Sequence, residues 1–247
     1  MFFLKRKLNT SATRLLVMSF MIALVGIMGG NGVFAAANTQ TINSAVTAFQ
    51  TISTLRREFP IDGEAIAATY AGDLQALVQE IDETNGLELN NDLQTAINDI
   101  KNDSEPVLAA QVIDKTLQRV FYQIIWNRIS TIRDEFETAT SAALTPMLDE
   151  AQASFEAIKG TVARENQVLT ADRQAIEAGS NPGLDTQINE SFSRVRTALK
   201  KSNAAEDFSV IQVERYGIRI SLARAYYIGV LREVSGIIQN RNTDLEE

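Results

Sequence analysis

The sequence predicts an all-α protein, an internally duplicated antiparallel helical bundle of about six to seven helices with no β-sheet. Three observations carry this. Apolar residues recur at three- and four-residue intervals along most of the chain, and no run alternates polar with apolar as a half-buried strand would. The four prolines, Pro60, Pro106, Pro146 and Pro182, fall where helices begin or loops turn, outside the strongly periodic runs. Two apolar stretches about 100 residues apart, Leu117–Ile132 and Leu222–Ile237, can be laid side by side. Leu117 then meets Leu222, Arg119 meets Arg224, Phe121-Tyr122 meets Tyr226-Tyr227, Ile125 meets Val230, and Ile129-Ser130 meets Val234-Ser235.

Residues 1–36 read as a cleaved secretory signal peptide. Lys5, Arg6, Lys7 and Arg14 form a basic region, Leu15–Gly29 is apolar and uncharged, and Val33-Phe34-Ala35 and Ala35-Ala36-Ala37 offer small residues at cleavage spacing. The apolar run is shorter than the ~20 residues of a spanning helix, so no transmembrane anchor is expected after cleavage. The expected location is exported, periplasmic or extracellular.

A first helix is predicted over Thr41–Glu58, with Ile42, Val46, Phe49, Ile52 and Leu55 on one face, broken by Phe59–Gly63. A second is predicted over Glu64–Glu83, its stripe formed by Ile66, Tyr70, Leu74, Leu77 and Ile81, and stopped at Asn85-Gly86. Asn90–Lys101 is a shorter helix. Ser104-Glu105-Pro106 then reads as a capped helix start, opening a long helix that runs to about Ala143. These elements make a first half, 37–143. The second half, 144–240, is expected to pack on it. It opens at Thr145-Pro146, continues helical over Met147–Gly179, turns at 179–183, and has a short helix to about Lys201. A last long helix is predicted from Ala205 to Asn240, with 241–247 a polar tail.

Two features of the central helices stand out. In the last one, Val213, Ile220, Tyr227 and Val234 recur every seven residues, and Tyr216, Ala223, Val230 and Ile237 follow three positions on; this is a seam for a near-parallel neighbour. Gly217, Gly229 and Gly236 on the same helix suggest close approach of another backbone or of a ligand. The earlier helix has apolar residues around most of its circumference, so its Arg119 and Arg128 need partners. Asp114 and Glu80 are candidates there, as is Glu214 for Arg215 or Arg219.

Composition narrows the chemistry. The chain has no cysteine and no histidine, which removes the commonest general base and the commonest transition-metal ligand. No nucleophile elbow, phosphate-binding loop or dinucleotide fingerprint occurs, so no enzymatic activity and no cofactor is expected. Removing residues 1–36 takes away four of the 23 basic residues and none of the 31 acidic ones, leaving a net charge of about −12. Such a surface repels phosphate backbones and argues against nucleic acid. The candidate ligand-binding residues are Arg119 with Tyr122 and Arg224 with Tyr227. Each pair is spaced to share a helix face, where a guanidinium fork suits a carboxylate. The competing reading of each pair is a buried ion pair beside a core tyrosine. The expected function is an exported, non-enzymatic bundle that binds a protein or small-molecule partner or scaffolds an envelope assembly, with homo-oligomers open. The alternative is a carboxylate-based iron or calcium protein using Asp134, Glu137, Asp149 and Glu150.

Overall fold

A computed structural model describes residues 39–173 and 183–246, with side chains over 39–164 and 183–229. The described residues are all-helical. The eight helices among them are α1 (Thr39–Leu55), α2 (Gly63–Tyr70), α3 (Asp73–Asn85), α4 (Leu89–Lys101), α5 (Pro106–Glu135), α6 (Ser141–Arg173), α7 (Leu184–Ala198) and α8 (Ala204–Glu246). One compact unit is Gly32–Tyr226; from Tyr227 onward the chain belongs to a second, of which the described part is the end of α8. No helix among the described residues is long and apolar enough to cross a membrane. The signal-peptide residues and most of the 179–183 loop lie outside the described residues.

The fold is built around α5. It packs against α3, α4 and α6, while α1 covers α2, α3 and α6, and α7 lies on α6. Leu117, Val120, Phe121, Ile124, Ile125, Ile129 and Ile132 of α5 are fully or almost fully buried, as a helix apolar around its circumference requires. Each such aliphatic side chain contributes about 1.5–3 kcal/mol by leaving water. Phe121 meets Phe49 of α1 at 5.2 Å between ring centroids, and Phe155 of α6 meets Phe192 of α7 at 5.8 Å. Side chains tie α8 to this unit: Phe208 tilts onto Phe136, and Tyr226 meets Tyr122 edge-on at 6.1 Å.

Several boundaries differ from the sequence reading, each for a local reason. The helix expected over Glu64–Glu83 is two, because Ala71 turns extended and Gly72 takes φ 100°, ψ −136°. Only glycine adopts that second conformation at low cost. The helix expected to run to Ala143 stops at Glu135, and α6 begins at Ser141. Pro146 is therefore inside α6 rather than at its start. Thr145 donates its hydroxyl to the Ser141 carbonyl at 2.8 Å in the same turn. Ser104 is not the cap of α5; Glu105 precedes Pro106 in the left-handed region, φ 47°, with no side-chain cap. Residues 241–246, read as a polar tail, continue α8. A Cβ added at Gly217 would find only ordinary contacts, the nearest at 3.5 Å from Ser191 Oγ, so that glycine is not forced by crowding.

The turns use devices that act over distance. Asp62 caps α2, accepting from the Ala65 amide at 2.9 Å. Gly86 closes α3 in the left-handed region, and Asp82 on the last turn of α3 accepts from the Leu89 and Asn90 amides at 2.8 Å each, satisfying the start of α4.

Gly63, at the first position of α2, is the crowded glycine. A Cβ there would lie 2.9 Å from the Lys101 backbone nitrogen and 3.1 Å from Ile100 Cγ2. Gly63→Ala is therefore expected to lower stability by ~1–3 kcal/mol as α2 is pushed off the end of α4, read as a shift in urea midpoint. An unchanged midpoint would refute that close packing.

Candidate functional site

The polar residues of α5 leave the helix in two directions. Arg119 is half-buried and lies in the field of Asp92 on α4 and Asp82 on α3; burial lowers its pKa and the two carboxylates pull it back. Tyr122, one turn on and 4 % exposed, faces α8 instead, against Tyr226 and the guanidinium of Arg219. Burial raises the Tyr122 phenol and Arg219 lowers it. The first predicted pair thus serves two different neighbourhoods. Of the second pair, Arg224 and Tyr227 are both exposed, Tyr227 by 56 %, and it is Tyr226 that turns toward α5. Burial also raises the Tyr226 phenol, with Asp114 and Tyr122 adding to it.

Deeper in the unit, Arg128 is 2 % exposed and forms a 2.6 Å ion pair with Glu150 of α6, itself buried. Glu80 of α3 sits in the same field, and one of its carboxylate oxygens is buried with no hydrogen-bond partner among the described residues. Burial holds both carboxyls above the usual range, outweighing the attraction of Arg128; Glu83 adds to the rise of Glu80, and Glu80 and Asp149 add to that of Glu150. One guanidinium therefore faces two acids.

The other expected partners choose differently. Asp114 pairs with Arg56, just beyond the end of α1, at 3.0 Å and accepts from Gln118 at 3.0 Å. Glu214 takes Arg194 of α7 at 2.6 Å, leaving Arg215 and Arg219 to other company. The four carboxylates considered for metal are dispersed. Asp134 pairs with Arg133 at 2.7 Å, Asp149 with Arg196 at 2.7 Å, Glu150 with Arg128, and Glu137 is exposed. Among the described residues no group of three or more acidic side chains is gathered to hold a metal ion.

The arrangement that sequence reasoning missed is centred on Trp126, the chain's single tryptophan. Arg215 and Arg219, one turn apart on α8, place their guanidinium carbons 4.6 and 4.5 Å from its ring centroid. Arg215 also lies 4.8 Å from the Tyr216 ring. Such contacts contribute about 0.5–2 kcal/mol each, more when desolvated. Arg215 is 8 % exposed, and its Nε has no hydrogen-bond partner among the described residues. Burial lowers its pKa, and Arg133 nearby lowers it further. Tyr122, Ile125, Trp126, Ile129, Ile218 and Leu222 close around the two arginines in a crevice with no room for a water molecule in this arrangement.

Comparison with known proteins finds no match. No family model, no curated protein and no solved structure matches the chain. The crevice must therefore be read from its own chemistry. Its lining is apolar and aromatic, and two guanidiniums stack on Trp126, with Asp134 in the field of Arg215 and the Tyr216 and Tyr122 phenols beside Arg215 and Arg219. Stacking leaves the in-plane N–H groups at the guanidinium edges, where Arg215 Nε has no partner among the described residues. Arg215 and Arg219 carried a signal in the sequence, their four-residue spacing on one helix, but nothing local to α8 tells that Trp126 lies opposite.

Two outcomes follow for the buried cluster. Glu150→Ala leaves Arg128 buried without its close partner and is expected to cost ~3–5 kcal/mol by urea denaturation. For pH, Glu80 and Glu150 have folded pKa values raised above the unfolded value of about 4.3. The folded state then binds more protons through that window, so their contribution to stability is highest below it and falls as pH rises through the raised values. Glu80→Gln should flatten the decline in urea midpoint as pH rises above the unfolded value of about 4.3, relative to the parent chain; an unchanged slope would exclude Glu80 as a contributor.

Proposed function

We propose that the protein is an exported, non-enzymatic helical bundle that recognises a carboxylate-bearing ligand or partner group at the crevice between α5 and α8. The observation that carries this reading is Arg215. It is buried, stacked on Trp126 and Tyr216, and has an unmet donor in the described structure. A buried cation in that state costs several kcal/mol unless something anionic completes it, which favours a site over a purely structural role. Export is supported by the basic–apolar–small pattern of residues 1–36, and a non-enzymatic role by the lack of histidine and cysteine. The likeness of Leu117–Ile132 to Leu222–Ile237 supports reading α5 and α8 as the paired central helices of a duplicated chain, with the crevice between them.

Trp126 supplies the assay, since all tryptophan fluorescence comes from the crevice. Titration with a small tricarboxylate and with a glutamate-rich peptide should give a saturable change with at least one of them. That change should weaken at least about tenfold in Arg215→Gln, with helical circular dichroism retained. The absence of a saturable response to both, or an undiminished response in Arg215→Gln, would overturn the proposal.

A further inference from the structure

The crevice beside Trp126 is shut. Side chains of α5 and α8 meet across it without space for a water molecule, so no ligand reaches the buried Arg215 Nε while α8 lies as it does. What holds α8 down decides whether it stays shut.

The hold is uneven along the helix. At its start it is firm. The Asn203 amide donates to Asp207 at 2.9 Å, Phe208 tilts onto Phe136 at 5.9 Å, and Lys201, just before α8, donates to the Phe136 and Ala139 carbonyls beyond the end of α5. Farther along it weakens. Glu214 pairs with Arg194 of α7, but that arginine side chain is 49 % exposed, and a pair so open to water holds little. Three residues on, Gly217 gives α7 no side chain to grip; a Cβ there would first meet Ser191 Oγ at 3.5 Å.

Against α5, Arg215 and Arg219 stack on Trp126, and Tyr226 meets Tyr122 edge-on. The Tyr226 hydroxyl reaches the Gln118 carbonyl only at 3.5 Å, the outer limit of a hydrogen bond. Two buried polar atoms of these residues, Arg215 Nε and the side-chain oxygen of Gln118, have no partner among the described residues. Closing over an unmet polar atom forfeits its hydration, which offsets part of what the buried Ile218 and Leu222 contribute. Opening would return water to both atoms. The far side of α8 already faces solvent, with Val213 and Ile220 66 and 63 % exposed. Its neighbour α7 is held differently: Ile188, Phe192 and Val195 are almost wholly buried, and Phe192 meets Phe155 of α6.

We propose that α8 between Ile211 and Tyr226 is a strap that lifts off α5, turning about its pinned start, and that the crevice admits a ligand only while the strap is lifted. The second half of this rests on the reading of the crevice as a ligand site; the first half does not.

The lift is measured without any ligand. Ala225 on the inward face of α8 and Ala151 of α6 are 1 and 0 % exposed, and the chain has no cysteine of its own. Ala225→Cys is expected to react with a maleimide at least about tenfold faster than Ala151→Cys, because a local opening uncovers the first and only wider unfolding uncovers the second. The near-isosteric pair Ser221→Cys on α8 and Ser154→Cys on α6 should rank the same way, which guards against a poorly folded alanine variant. Thiols on α8 that react no faster than those on α6 would overturn the strap.

Entry is measured with a lock. Ser191→Cys with Gly217→Cys puts two thiols within disulfide reach and ties α8 to α7 beside the crevice. Oxidised, this variant should answer the tricarboxylate or the glutamate-rich peptide with a Trp126 fluorescence change at least about tenfold slower than the same protein reduced. Equal rates would overturn entry by lifting. No response in the parent chain would sink the crevice as a ligand site, and the second half of the proposal with it, whereas the thiol rates alone decide the first.

Discussion

The burial of α5 on nearly every side is the constraint to which the rest of the structure answers. A helix packed by α3, α4 and α6 has no dry place for a guanidinium, yet Arg128 sits there at 2 % exposure. The ion pair to Glu150 makes this tolerable, and it links α5 to α6, the closest neighbours in the fold. Such a pair adds little compared with apolar residues of the same volume. It also joins α6 to α5 at one defined register, with Glu150 against Arg128. Glu80 in the same field extends that contact to α3.

Charged pairs elsewhere repeat the pattern at lower burial. Arg56–Asp114 joins the turn after α1 to α5, Arg194–Glu214 joins α7 to α8, and Arg196–Asp149 joins α7 to α6. Each is partly exposed, so each is expected to contribute about 1 kcal/mol or less. Their shared feature is that nearly every long-range pair connects helices rather than turns of one helix, which suits a bundle that has no disulfide to staple it.

How far this was legible in the sequence depended on range. Helix existence was legible throughout, because Ile42, Phe49 and Ile52, or Leu117, Phe121 and Ile125, announce their faces within a few residues. The break at Ala71-Gly72 was not, since the stripe of Ile66, Tyr70, Leu74 and Leu77 passes through it in register and one glycine is a weak signal within a helix. Partner choice was poorly legible. Glu214 stands next to Arg215 in the chain but bonds Arg194, twenty residues upstream, because side chains adjacent in sequence point to different sides of a helix. For α8 the period was legible and the direction of the stripe was not, as periodicity says that a face is apolar without saying which neighbour covers it. Trp126 gave no advance sign of its two arginines for the same reason.

Lys201 shows a further consequence of the way the ends are tied. It lies between α7 and α8 in the left-handed region, φ 53°, and reaches back to the end of α5. There its ammonium donates to the Phe136 carbonyl and, at 2.6 Å, to that of Ala139, above the Phe136 ring. Free carbonyls at a helix end attract a cation, which offsets the ~1–2 kcal/mol that the backbone conformation costs. Mechanically, this makes the entry to α8 a pinned joint rather than a slack tether. The start of α8 is thereby held to the end of α5 by a single side chain from the connection that precedes it.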